Sequence, residues 1–272
     1  MTSLRPAINR ERSPSDERGR EIHDEHSHHR HGRPLGNCNR FPGPHYLASG
    51  GDEDNLEVVG FNSFVHVRCH FASPKTCYCG RYACHLDSMI VAVDGACPGN
   101  GSDLAVRSAC GVYFGLDDDD PRNMALRIPD EPGTLHTSQR AELWAAITAL
   151  WASDKYAESG GQWPCEVPKY CETPCRISHL VIKSDSAYLV NSMTGAINKW
   201  KTNGWLTTKK TPVANRDLWE LLLKRVAYLD TLGVTVDWWL VPRKENEDAD
   251  RLANAGLERK PLRLRDILSA KV

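Results

Sequence analysis

The stretch Met89 to Gly101, reading MIVAVDGACPGNG, constrains this chain more than any other. Five apolar residues, Met89 to Val93, run straight into Asp94, and a turn containing Gly95, Gly99, Asn100 and Gly101 follows at once. The apolar run predicts a buried strand with a carboxylate at its end. Backbone beside that carboxylate can approach a ligand closely, which suits a metal or phosphate site. The plainer alternative is a strand that stops at a polar turn, because Asp-Gly is ordinary turn chemistry.

The residues that follow supply a sheet for this strand to join. Ser108 to Gly115 and Asn123 to Ile128 read as second and third strands, joined across the acidic run Asp117 to Asp120 and Pro121 as a hairpin. Ser138 to Ala152 reads as a helix, with Leu143, Ala146, Ile147 and Leu150 at i, i+3, i+4, i+7 spacing. Leu180 to Lys183 is a fourth strand running into Ser184-Asp185, followed by a short helix from Ala187 to Met193. A helix over Asp217 to Leu229 carries Leu218, Leu221, Leu222 and Val226 on one side. Val234 to Val241 is a fifth strand, and Asn246 to Ala255 a last helix stopped by Gly256. Three strands followed by alternating helix and strand predict an α/β fold, a mixed sheet with helices on both faces.

Around this domain, 88–258, the composition changes. Residues 1–55 are dense in Arg, Glu, Asp, Ser, Pro and Gly and hold too few large apolar side chains to offset ordering entropy, which predicts disorder. Their His23, His26, His28, His29 and His31 are read as part of that polar tail, with transition-metal binding the alternative. Residues 56–87 form a Cys/His-rich lead-in. Cys69, His70, Cys77, Cys79, Cys84 and His85 offer zinc-ligand chemistry, but the Cys-x-Cys spacing departs from the common pattern, so short strands with free thiols are the competing reading. Residues 153–178, with Cys165, Cys171 and Cys175, read as a surface insertion, and 259–272 as a basic tail.

No run approaches the roughly 20 apolar residues that span a bilayer, and no apolar signal core follows Met1. With ten Cys, that predicts a reducing, intracellular setting, cytoplasmic or nuclear with mitochondria as a further option, and thiols free or metal-bound. The net charge of −1 conceals a basic segment, Lys199 to Lys210, carrying Lys199, Lys201, Lys209 and Lys210 with Trp200 and Trp205. It reads as a nucleic-acid grip or, more plainly, as a solvated helix with core Trp.

Asp94 and Asp185 both follow apolar strands, so neighbouring first and fourth strands would bring them to one sheet edge. Glu142 lies early in the helix from Ser138. A capping-box glutamate would sit three residues after Ser138, where the chain has Ala141, so a local explanation for Glu142 is weak. In the last helix, Asp248 and Asp250 are about 200° apart around the axis, so only one faces a shared site, and the helical wheel alone does not choose.

These blocks together resemble type 1 ribonuclease H: AVDGACPGNG, TSQRAEL, KSDSAYLV, NKWKTNGW, TPVANRDLWELL and NEDADRLANAG, in order from about Met89 to Glu258. The resemblance implies a five-stranded mixed sheet with the second strand antiparallel. It also implies an endonuclease that cuts the RNA strand of RNA–DNA hybrids, leaving 5′-phosphate and 3′-hydroxyl ends. By the same resemblance Asp94, Glu142, Asp185 and Asp250 hold two Mg²⁺, with Mn²⁺ as a substitute; Asp250 is taken over Asp248 because it directly precedes Arg251-Leu252-Ala253. Asn100 and Gln139 match minor-groove contacts, Thr137 and Asn215 residues around a DNA phosphate, and Lys199, Trp200, Lys201 and Trp205 a basic protrusion against the DNA strand. The segment Val241 to Asn246 is short and lacks the His that many members carry there, which resembles a compact-loop subgroup. A monomer needing no protein partner is expected; a non-catalytic hybrid-binding protein on the same fold is the alternative.

Overall fold

The structure, a computed structural model, describes residues 39–42, 56–59, 64–68, 88–115, 120–130, 135–157 and 177–261. The zinc candidates Cys69, His70, Cys77, Cys79, Cys84 and His85, the His-rich tract, residues 158–176 of the insertion and residues 262–272 lie outside them.

The described strands form one mixed sheet of eight: β1 (Asn39–Arg40), β2 (Glu57–Val59), β3 (Val65–Val67), β4 (Ser88–Ala96), β5 (Ala109–Tyr113), β6 (Met124–Arg127), β7 (His179–Ser184) and β8 (Thr235–Leu240). The five expected strands are its centre, in the order β6-β5-β4-β7-β8. β5 runs antiparallel to β4 and β6 to β5, whereas β7 and β8 run parallel to β4. The helices are α1 (Ser138–Ala157), α2 (Ala187–Asn191), α3 (Ile197–Thr202), α4 (Arg216–Thr231) and α5 (Glu247–Gly256). A π-helical turn, Ser192–Ala196, joins α2 to α3, so the short helix expected to end at Met193 runs on as a longer irregular one.

Strand alternation sorts the core into two faces. Met89, Val91 and Val93 pack with Leu143, Ile147 and Leu150 of α1 and with Leu222 and Trp219 of α4. Ile90, Ala92 and Asp94 turn to the opposite face. There α5 covers Ala92 and Tyr113 through Ala249 and Leu252. A ten-residue helix spans only about 15 Å, and the rest of that face is covered from the N-terminal side. Phe41, Leu56 and Val67 bury Ile90, Val181 and Trp239. Phe41 is 4% exposed and sits edge-on to Trp239, with ring centroids 5.5 Å apart, while Asn39–Arg40 pair with β8. Residues 39–42 therefore depart from the coreless tail expected over 1–55: Phe41 is a large apolar residue in polar company, and the sheet face offers it a place.

Two further details differ from the sequence reading. The cap of α1 is Thr137, whose Oγ1 accepts from the Arg140 amide at 3.2 Å, one residue earlier than the Ser138 reading. Gly256 does not stop α5 from outside. It is the last helical residue, and a Cβ there would come within 3.0 Å of Ala109 Cβ and Leu126 N, so its role is close packing against β5 and β6.

Candidate metal and hybrid site

β4 continues through Asp94 to Ala96, because β5 pairs with it as far as Ala109 opposite Ala96. Asp94 is therefore held within a ladder rather than at a fraying end, opposite Gly111. Two glycines then let the helices reach it. A Cβ on Gly95 would lie 2.3 Å from the Glu142 amide nitrogen, so the start of α1 rests directly on that strand backbone. A Cβ on Gly111 would lie 2.2 Å from the Ala249 carbonyl oxygen, so α5 rests on β5 in the same way. Glu142 arrives from one face and Asp250 from the other, while Asp185 follows β7 next to β4.

Glu142, Asp185 and Asp250 all lie near enough to Asp94 to act on its ionisation. Asp94 and Glu142 lie side by side, each perturbing the other's ionisation. Burial, then the neighbouring Asp185 and Asp250 charges, push Asp94 from 3.8 up to about 7. Burial and the charges of Asp94 and Asp185 push Glu142 from 4.5 to about 10. Among the described residues, Glu142 Oε2 is buried without a hydrogen-bond partner. The charge that reaches Asp94 from α5 is that of Asp250; Asp248 faces away and pairs with Arg251 at 3.1 Å. Of the two, Asp250 is the one turned toward Asp94.

Each remaining carboxylate has its own partner. Asp185 Oδ1 accepts from Asn246 Nδ2 at 3.0 Å. Asp250 accepts from Arg243 Nη2 at 2.6 Å and from Asn254 Nδ2 at 2.9 Å. Among the described residues, no three His, Cys, Asp or Glu side chains close around one ion position. The donor set itself fits a hard divalent cation: four carboxylates, no thiolate or imidazole, and one orphaned buried oxygen. Sequence reasoning missed Arg243 and Asn246. Arg243 stands in the short segment without His, and an Asn before a helix reads as an ordinary cap.

The expected substrate residues divide into two groups. Asn100, in the turn held by Gly99 and Gly101 at positive φ, accepts at its Oδ1 from the Ser138 amide at 2.9 Å, so it also caps α1. Gln139 is exposed beside it. Thr137 and Asn215 are linked through Arg140, whose backbone amide bonds Thr137 and whose Nη1 donates to Asn215 Oδ1 at 3.3 Å. Arg140 also forms a two-pronged pair with Asp217 at 2.9 and 3.2 Å, and this bridging residue was missed.

In the basic segment, Lys199 and Lys201 lie on the exposed last turn of α3, and Lys209 and Lys210 on a turn closed by Thr207 and Thr211. Trp200 and Trp205 are half-buried rather than free platforms. Trp200 packs 5.6 Å from Trp219 and 6.2 Å from Trp205, and the Arg216 guanidinium lies 5.4 Å over Trp205. Both readings of the segment thus hold in part: the indoles anchor it to the core and the lysines face solvent.

A model of the RNase H family matches residues 87–258 of the 272. The chain belongs to the RNase H family. Ribonuclease H1 of Mus musculus is 28% identical over 227 residues, 82% of this chain and 62% of that protein. The chain spans 50% of the rat and human Ribonuclease H1 lengths. Ribonuclease H of Roseobacter denitrificans is 33% identical over 177 residues, 63% of this chain and 97% of that one. Among solved structures, RNase H1 from the halophilic archaeon Halobacterium salinarum aligns with 63% of this chain and 98% of its own, at 23% identity and a TM-score of 0.39.

Proposed function

We propose that this chain is an endoribonuclease that hydrolyses the RNA strand of RNA–DNA hybrids, leaving 5′-phosphate and 3′-hydroxyl ends, and that it acts as an intracellular monomer. The observation that carries this reading is the meeting of Asp94, Glu142, Asp185 and Asp250 at one end of the sheet, two of them with raised pKa. These four carboxylates are the proposed ligands and catalytic residues, for Mg²⁺ or its substitute Mn²⁺. When bound, two such cations supply an activated water and neutralise charge on the leaving oxygen.

The chain's own residues do the rest. Burial and mutual repulsion raise both Asp94 and Glu142, so protons bound by this acid pair in the metal-free protein must leave before both can act as ligands. Arg243 supplies the compensating charge on Asp250 at 2.6 Å. Asn100, with its oxygen spent on α1, presents its NH₂ as a donor beside Gln139 for the minor groove and its 2′-hydroxyls. Thr137, Arg140 and Asn215 form a polar cluster for a DNA phosphate. Lys199, Lys201, Lys209 and Lys210 contribute positive charge for the DNA backbone, on a base stiffened by Trp200 and Trp205. A non-catalytic hybrid binder would use these same contacts, but it gains nothing from a buried acid pair held against its own repulsion.

The deciding assay is cleavage of labelled RNA–DNA hybrid with Mg²⁺, beside duplex RNA and duplex DNA. Asp185→Asn should lower hybrid cleavage by roughly three orders of magnitude, about 4 kcal/mol of transition-state stabilisation. Hybrid binding in Ca²⁺ should survive. Near-parental turnover by this variant would refute the proposed site.

A further inference from the structure

Asn246 lies between β8 and α5, where an Asn commonly caps the helix with its side chain. Here its backbone carbonyl does take the Asp250 amide at 3.1 Å, but its side chain makes no capping bond. The carboxamide turns inward and is 2% exposed. Its Nδ2 donates twice, to the Val93 carbonyl and to Asp185 Oδ1, each at 3.0 Å. Both neighbours only accept, so the NH₂ end must face them, and the assignment of nitrogen and oxygen follows from chemistry. Among the described residues its Oδ1 has no partner. A buried amide oxygen left unbonded is destabilising, a cost the chain bears while both donors are used.

We propose that Asn246 is a positioning residue for the metal site. It fixes the Asp185 carboxylate against the backbone of β4, one residue before Asp94, and ties both to the start of the helix that carries Asp250. The inference rests on the reading of the four carboxylates as metal ligands. One donor group thereby sets the mutual placement of ligands from three elements. Substitution by Asp would set a carboxylate against a carboxylate and a carbonyl; Ala would remove the donor that serves the Val93 carbonyl and Asp185 Oδ1 together. Partners that orient a ligand in this way typically alter metal affinity by about 10–100-fold when removed.

The test is calorimetric titration of Mn²⁺ into the full-length protein and into Asn246→Ala, Asp185→Asn and the double variant. Asn246→Ala should weaken Mn²⁺ binding about tenfold or more. In the Asp185→Asn background the same change should cost no more than about twofold, because its target is gone. Hybrid binding in EDTA should stay at the parental level, a readout that general unfolding would not spare. If Asp185→Asn weakens Mn²⁺ binding while Asn246→Ala does not, the positioning role is overturned and the metal site stands. If Asp185→Asn itself keeps parental affinity, the site reading falls, and this inference with it. Should Asn246→Ala fail to fold, the unaltered chain still decides. The assigned side-chain amide protons of Asn246 should shift in nitrogen-edited NMR on Mg²⁺ addition, and constant shifts would overturn the proposal.

Discussion

The carboxylate end of the sheet and the basic segment between α2 and α4 serve one proposed activity and are built in opposite ways. At the carboxylate end, function and fold use the same atoms. Asp94 is locked in a ladder with Gly111, and helices from both faces approach within a missing Cβ of the strands. The basic segment keeps them apart. Its indoles pack inward, its lysines stand in solvent, and its backbone includes Trp205, Lys210 and Asn215 at positive φ. Left-handed backbone at non-glycine residues costs of order 1–3 kcal/mol each and persists only where the surroundings hold it; here the Trp200–Trp205–Trp219 cluster lies beside it. A change at the first region should damage stability and chemistry together, whereas a change of charge at the second should touch binding alone.

The sharpest way to break that contrast is Gly111→Ala, which adds a methyl group at a residue that is neither a proposed ligand nor a proposed substrate contact. Its Cβ would meet the Ala249 carbonyl oxygen at 2.2 Å and the Ala253 amide nitrogen at 2.4 Å, both backbone atoms that cannot rotate aside. Helix α5 must move, and Asp250 with it. Denaturant unfolding should show a loss of about 3 kcal/mol or more, and hybrid cleavage should fall in the molecules that remain folded. Parental stability would mean that α5 is not seated on β5 as described.

A second comparison sets two truncations side by side. Removing residues 1–38 takes away polar sequence, while removing 1–55 also takes Phe41 and the β1 pairing with β8. The longer truncation should lose about 2 kcal/mol more stability, the scale of burying one Phe. Cleavage of a short hybrid should stay within tenfold of the parent for both, since neither removes a proposed ligand. Equal melting temperatures would show that Phe41 contributes nothing to the sheet face.

How much of this could be read in the sequence follows from which signals are local. The central strands and the helices α1, α4 and α5 are written in apolar periodicity and runs, and the glycines flanking Asp94 mark a special turn. The ligand partners are not local. Asn246 and Asp185 lie 61 residues apart, so a cap-like Asn gives no sign that its amide serves another element. Arg243 reads as surface charge until its guanidinium is placed on Asp250. Phe41 is one apolar residue in a polar stretch, and a two-residue strand carries no periodicity at all. The choice of Asp250 over Asp248 depends on how α5 is rolled against β5, which the close seat at Gly111 decides.

The raised carboxyls give a smaller, signed expectation. Asp94 and Glu142 have folded values above their ordinary 3.8 and 4.5, so the metal-free folded state binds more protons than the unfolded chain. Their contribution to the stability of the metal-free protein is therefore fully present below about 3.8 and is lost as pH rises through about 7 and on toward 10. Mg²⁺ binding displaces those protons and should offset the loss. The rise in Tm on adding Mg²⁺ should be greater at pH 8 than at pH 6. An equal rise at both values would separate the ion from this acid pair.

The smallest effect on the fold is expected where the second region is stripped of charge. Changing Lys199, Lys201, Lys209 and Lys210 together to Gln removes four exposed cations and little apolar surface. Stability should shift by no more than about 0.5 kcal/mol. Hybrid affinity at low salt should fall, and log affinity should depend less steeply on log salt, because each phosphate contact contributes a slope of about −0.7 to −0.9 through counterion release. With four lysines on two separate turns, a slope change of roughly one to three units is expected. Trp205→Ala should behave differently, lowering stability and binding at every salt concentration, since that ring packs between Trp200 and the Arg216 guanidinium. If the lysine variant keeps both the parental affinity and the parental slope, the segment is a solvated turn and the contrast with the carboxylate end loses one of its sides. If it instead unfolds, charge at this segment belongs to the fold, and the separation of binding from stability fails.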